Sequence, residues 1–256
     1  MKSFKFDKHK KNTMSEFSEF DQSGSVPNKD VGSIISHAFN MYKGVFLYAF
    51  ITMIIYLIAD VVLKTITGIN LYSYYGTLLD FDNKDFYKNI LIDDAQNSIY
   101  YSLSWLLSPL LSPIYVGLIY VTNKFNNKMP ILFSDLFIGY RQNLGNILLY
   151  SLILEIIIIV SIFLCVIPFF FVFPMFLLGY PILLFENANA VDALSKTYGI
   201  AKENYSVFLG VGLFGLLISF SGLFLCCIGI IFTLPFIYIA MYSTYCAFLG
   251  KPRQIK

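Results

Sequence analysis

Long apolar runs separated by short polar stretches dominate the chain beyond about residue 44. Six of them approach the roughly 20 residues needed to cross about 30 Å of hydrocarbon: Val45–Leu63, Ile99–Thr122, Leu144–Ile167, Pro168–Phe185, Tyr205–Ile228 and Gly229–Leu249. Ahead of the first, third and fifth runs, apolar residues recur at helical spacing instead. Ile35, Ala38, Phe39 and Tyr42 share one face, as do Phe133, Leu136, Phe137 and Tyr140, and Val191, Leu194, Tyr198 and Ala201. The pattern predicts an all-α polytopic membrane helical bundle of six transmembrane helices, with three short amphipathic helices lying in the interface. Ser134 and Asp135 after Pro130 predict a helix start, and Asp192 with Lys196 predicts an i,i+4 pair on an exposed face.

The runs are related to one another. Pro113, Pro174 and Pro235 lie 61 residues apart, each inside the second run of a pair. Pro113-Ile-Tyr-Val-Gly-Leu-Ile-Tyr120 resembles Pro235-Phe-Ile-Tyr-Ile-Ala-Met-Tyr242, and Phe163-Leu-Cys165 and Gln142-Asn143 recur at the same interval as Phe224-Leu-Cys226 and Glu203-Asn204. Three helical-hairpin units follow, at about 31–128, 129–186 and 187–250, the first enlarged by an insertion over 65–98.

Composition fits this reading. Of 256 residues 57% are hydrophobic and 13% charged, about half the charged fraction of an average soluble domain, and mean hydropathy is +0.67. Fifteen of the 18 basic residues fall on segments that share a side if the N-terminus is cytoplasmic, and only Lys64, Lys84 and Lys88 fall opposite. The positive-inside rule then puts both termini in the cytoplasm of a bacterial cytoplasmic membrane. Residues 1–30 hold 11 charges and no apolar core behind Lys2, Lys5, Lys8, Lys10 and Lys11, so they read as a disordered cytoplasmic tail and not as a signal peptide. Residues 251–256 form a second cytoplasmic end. The insertion carries Asp80, Asp82, Asp85, Asp93 and Asp94 against Lys84 and Lys88. It lacks the glycine and terminal glutamate of a calcium loop, so a solvated outer loop is expected.

Candidate chemistry is sparse. His9 and His37 are the only histidines, too few for a histidine metal site or a Ser-His-Asp group. The four cysteines lie in apolar runs without ligand spacing, and a Cys165 to Cys226 disulfide is one alternative to buried thiols. Gly210-Val-Gly-Leu-Phe-Gly215 matches a dinucleotide fingerprint by letter but lies in an apolar run; with Ser219 and Gly222 it reads as a small-residue packing face. Two ionisable groups lie inside the runs, where such groups mark function by default. Asp60 has Lys64 one turn on, which predicts a local ion pair. Glu155 lies near mid-run with no basic neighbour in sequence, and two readings stand for it: a carboxyl hydrogen-bonded to a neighbouring Tyr or Ser, or a proton- or cation-handling group. The prolines likewise read either as shared kinks or as substrate-binding breaks.

The run Phe133-Ser-Asp-Leu-Phe-Ile-Gly-Tyr-Arg-Gln-Asn143, the span ending Cys165-Val-Ile-Pro168 and the run Phe185-Glu-Asn-Ala-Asn-Ala-Val-Asp-Ala-Leu-Ser-Lys-Thr-Tyr198 resemble a broad group of uncharacterised multi-pass bacterial membrane proteins. That group is related to the membrane region of glycerophosphodiester phosphodiesterases. Some members carry a carotenoid monooxygenase label, a chemistry that needs four histidines on iron where this chain has two. The resemblance implies spans without phosphodiesterase chemistry and brings no catalytic residue.

These readings lead to a non-enzymatic accessory or scaffold protein without cofactor, in contact with the bilayer and with membrane-protein partners through its interfacial helices or tail, and not with nucleic acid. The alternative is a small-solute, ion or lipid transporter using Glu155 and the proline-broken helices.

Overall fold

A computed structural model describes residues 24–69, 71, 95–164, 167–224 and 229–252. Every regular element among them is helical, and six helical segments are long and apolar enough to cross a membrane. The chain is an all-α, multi-pass membrane protein. Residues 1–23 of the tail expected over 1–30, the Asp-rich loop from Asp80 to Asp94 and the Cys165 to Cys226 pairing lie outside the described residues; the end of that tail is ordered, with Ser25 bonded to Asn126 and His37.

Asp30 opens α1 (Val31–Ile66) by accepting the Ser33 amide on its carboxylate, which satisfies one of the free N–H groups of the first turn. With 36 residues, α1 extends about 54 Å at 1.5 Å per residue, beyond the about 40–45 Å of a whole bilayer. The first amphipathic segment and first span, expected as separate elements, are one helix. Nothing between them stops helical propagation, and Gly44 serves packing, since the Phe125 ring fills the space its Cβ would take.

The chain returns along α2 (Ala95–Asn126) with Pro109 and Pro113 inside the helix. The second short helix is reduced to a 3-10 turn over Phe133–Phe137 and one α turn, α3 (Ile138–Arg141). Asp135 organises it by accepting the Leu132 amide at 2.7 Å and the Lys124 ammonium at 2.8 Å. The next pair of spans is α4 (Leu144–Phe163), then α5 (Ile167–Val172), a 3-10 turn at Phe173–Phe176 and α6 (Gly179–Phe185). The last comprises α7 (Ala190–Glu203), α8 (Tyr205–Phe220), a 3-10 turn at Ser221–Phe224, α9 (Ile230–Thr233) and α10 (Phe236–Leu249).

The face α7 turns to the bundle is its small-residue face, Ala190, Ala193, Thr197 and Ala201, while Val191 and Tyr198 point outward. The expected pairing of Asp192 with Lys196 does not form. Asp192 instead accepts the Asn189 amide group at 2.6 Å, and Lys196 reaches Glu186 at 2.5 Å. Glu186 is the better-placed anion because Tyr245 already donates to its other oxygen at 3.3 Å.

Helices α1, α2 and α10 pack together at the centre, around Val45, Val116, Ile119, Ile239 and Ala240. Small residues permit the closest approaches. A Cβ on Gly117 would run into the Leu136 backbone, one on Gly139 into Pro113, one on Gly212 into Pro174, and one on Gly222 into the backbone of Gly229 and Ile230. The glycine run from Gly210 to Gly215 is thus a packing surface inside α8. Both described chain ends meet at one end of the bundle, where the Lys29 ammonium lies 5.5 Å from the centre of the Phe248 ring.

Candidate functional site

The prolines come first, because a proline-broken helix offers carbonyls to a ligand unless something else takes them. Pro113 cannot donate to the Pro109 carbonyl; the Ser112 hydroxyl does so at 2.7 Å, and α2 stays continuous. Pro174 and Pro235 interrupt their spans, one in a 3-10 turn and the other as the residue capping α10. In each case a tyrosine hydroxyl from another helix donates to the carbonyl three residues before the proline. Tyr140 donates to Leu110 at 2.7 Å, Tyr205 to Phe171 at 3.2 Å and Tyr42 to Phe232. The break after Pro174 is held further by Tyr150, which donates to Phe176 at 3.0 Å, and by Thr197, whose hydroxyl donates to Met175 and accepts the Leu178 amide, both at 3.2 Å. At each of the three prolines, one carbonyl of the preceding turn is thus occupied by a donor from another helix.

Glu155 occupies a different setting. Ile147, Tyr150, Ser151 and Leu154 form the buried stripe of α4, and Leu149, Leu152, Ile156 and Val160 its exposed stripe. Glu155 lies on the boundary and is half-buried. Ser104, Ser108 and Ser112 recur at one-turn intervals along α2, and Ser104 lines a groove shared with the Glu155 side chain. An open groove of about 260 Å³ lies here, lined by Ser104, Trp105, Glu155, Ile158 and Ile159.

Tyrosines close the inner wall of this seam. Tyr180 donates to Ser151 at 3.1 Å and packs edge-on against Tyr150, with ring centres 5.1 Å apart. Tyr238 stacks on Tyr115 at 4.3 Å and lies 6.4 Å from Tyr180. Asp60 itself holds Lys64 at 2.6 Å and accepts the Tyr100 hydroxyl on its other oxygen, also at 2.6 Å; the Lys64 ammonium lies 5.4 Å from the centre of the Tyr100 ring. Asp60 therefore belongs to a saturated, largely buried group, whereas Glu155 is in none of the ion pairs among the described residues.

A second polar cluster ties the chain ends together. His37 of α1 is buried, sharing hydrogen bonds with Ser243 at 2.9 Å through Nδ1 and with the Ser25 hydroxyl at 3.0 Å through Nε2. Asn126 accepts the Ser25 amide at 2.8 Å and donates to the Ser25 carbonyl and the Tyr242 hydroxyl, both at 2.9 Å. Tyr242 in turn donates to Asn123 at 3.1 Å. Sequence reasoning missed this cluster, and the three-serine ladder on α2, which its four-residue spacing could have revealed.

Among the described residues no three of His, Cys, Asp and Glu gather as metal ligands, and Cys246 is a buried free thiol. Comparison with protein-family models, curated proteins and solved structures gives no match.

Proposed function

We propose that this chain is a non-catalytic accessory protein of the bacterial cytoplasmic membrane, with both termini in the cytoplasm, that holds another membrane protein by lateral contact between α2 and α4. The observation that carries this reading is the placement of Glu155: its groove opens beside the exposed stripe of α4 and is backed by packed tyrosines. A carboxyl at the edge of a lipid-facing groove suits a polar contact with a neighbouring helix, which such groups provide in hydrocarbon.

The transport reading is weakened at its prolines, because one carbonyl in the turn before each of Pro113, Pro174 and Pro235 already accepts a tyrosine hydroxyl. The three-unit repeat, the interfacial position of α3 and α7 and the kinship with the membrane region of glycerophosphodiester phosphodiesterases are parts of the same proposal. Supporting the repeat, the carbonyls of Leu110, Phe171 and Phe232 stand at the same interval as the prolines.

The test uses the full chain in its own membrane. A photo-crosslinking residue at Ile158 is expected to give one discrete adduct, and the same residue at Ile58, exposed on α1, none. In liposomes, wild type and Glu155→Gln are both expected to show no proton or solute flux above the lipid background. A flux that Glu155→Gln abolishes would replace this reading with the transporter.

A further inference from the structure

Resting on the lateral-docking reading, we infer that the groove at Glu155 takes a transmembrane helix carrying a lysine or arginine at the depth of this carboxylate. Glu155 is the twelfth of the 20 residues of α4, about 17 Å along the helix and so close to the middle of the hydrocarbon. An acidic group at that depth is balanced by a cation or a hydrogen-bonded partner. Ser104 lies beside it in the groove, and among the described residues Glu155 enters no ion pair. Lys64, the basic side chain of the same region, is engaged by Asp60 at 2.6 Å. The carboxylate is thus without a cation among the described residues.

The lining narrows the class of cation. Ser104 offers a hydroxyl oxygen in the same groove, Trp105 presents an indole ring that is half exposed, and Ile158 and Ile159 form an aliphatic wall. An ammonium or guanidinium on a hydrocarbon stem matches all three: charge for the carboxylate, a ring face for cation–π contact and apolar surface for the stem. Hard metal cations want six or more oxygens, and this groove supplies one carboxylate. Exposed Leu106 and Ile156 border the site on the lipid side, so the cation reaches it from within the membrane, on a helix that buries its apolar face against α2 and α4.

Trp105 is the only tryptophan of the chain, and its fluorescence reports on the groove directly. The full-length protein in phospholipid nanodiscs is titrated with a synthetic leucine–alanine transmembrane peptide bearing one central lysine, beside the same peptide with norleucine. A saturable change in Trp105 emission with the lysine peptide is expected, weakened at least ten-fold in Glu155→Gln and at least ten-fold with norleucine. Helix content and elution volume of the variant are to match wild type. Equal binding of both peptides, indifferent to Glu155→Gln, overturns the charge inference and leaves lateral docking standing. A Glu155-dependent response to a long-chain alkylamine with none to the lysine peptide overturns the helix as occupant. No response to any probe, together with no adduct at Ile158, overturns both readings.

Discussion

The hydroxyl of Tyr140 donates to the main-chain carbonyl of Leu110 at 2.7 Å, three residues before Pro113. The same relationship links Tyr205 to Phe171 ahead of Pro174 and Tyr42 to Phe232 ahead of Pro235. The bonds join α3 to α2, α8 to α5 and α1 to α9, each tying a tyrosine to a separate helix beside a proline. In hydrocarbon there is no water to replace such a donor, so each bond ties two separate helices together.

Tyr140→Phe and Tyr205→Phe keep the rings and remove only the hydroxyls. Each is expected to lower stability by about 0.5–1.5 kcal/mol, and the double variant by the sum, since separated sites with no shared partner add. Denaturant unfolding in mild detergent measures this. Wild-type stability in both single variants would show that these bonds do not hold the helices together.

Removing one member of the buried Asp60 and Lys64 pair should be far worse than removing both. Their side chains are 18% and 6% exposed, so Asp60→Leu strands a buried ammonium and is expected to lower stability by about 3–5 kcal/mol. Lys64→Leu added to it should restore most of the loss. Glu155→Leu, with no cation to strand, is expected to leave thermal stability unchanged or raise it. A large loss on Glu155→Leu would reveal an ion partner for that carboxylate.

Gly117→Ala inserts a methyl group where the Leu136 backbone lies, and backbone cannot rotate away as a side chain can. A loss of about 1–3 kcal/mol is expected from overpacking. Gly145→Ala has open space at its Cβ and, inside α4, should gain a few tenths of a kcal/mol or more from helix propensity. Equal effects at the two positions would contradict the α2 to Leu136 packing.

Asn126→Ala withdraws the acceptor of the Ser25 amide and a donor to Tyr242. The segment from Gly24 to Asp30 is expected to lose its anchorage while the spans stay folded. Hydrogen exchange at the Ser25 amide should then accelerate at least ten-fold, with exchange in α10 unchanged, and proteolytic cutting just before α1 should increase. His37→Ala is expected to have a smaller effect, since Asn126 retains its three bonds to Ser25.

Fold class and spans were legible in the sequence because they depend on local quantities. Twenty apolar residues suffice to cross hydrocarbon, and only a helix satisfies their backbone there; the runs beginning at Leu144 and Tyr205 coincide with the starts of α4 and α8. The Asp60 and Lys64 contact was also legible, being one turn of one helix. Contacts across helices were not. Nothing in sequence spacing pairs Tyr205 with Phe171, His37 with Ser243 or Ser104 with the groove at Glu155, since each meets only after separate helices have docked. Lys196 turned to Glu186 and away from Asp192 because Tyr245, from a helix about 50 residues on, had oriented that carboxylate. Spans that are apolar all round carry little facing information, so the sequence alone determined that Glu155 sits in the membrane. Only tertiary structure decided that it sits on the edge of a packed seam, with tyrosines behind it and an open groove in front.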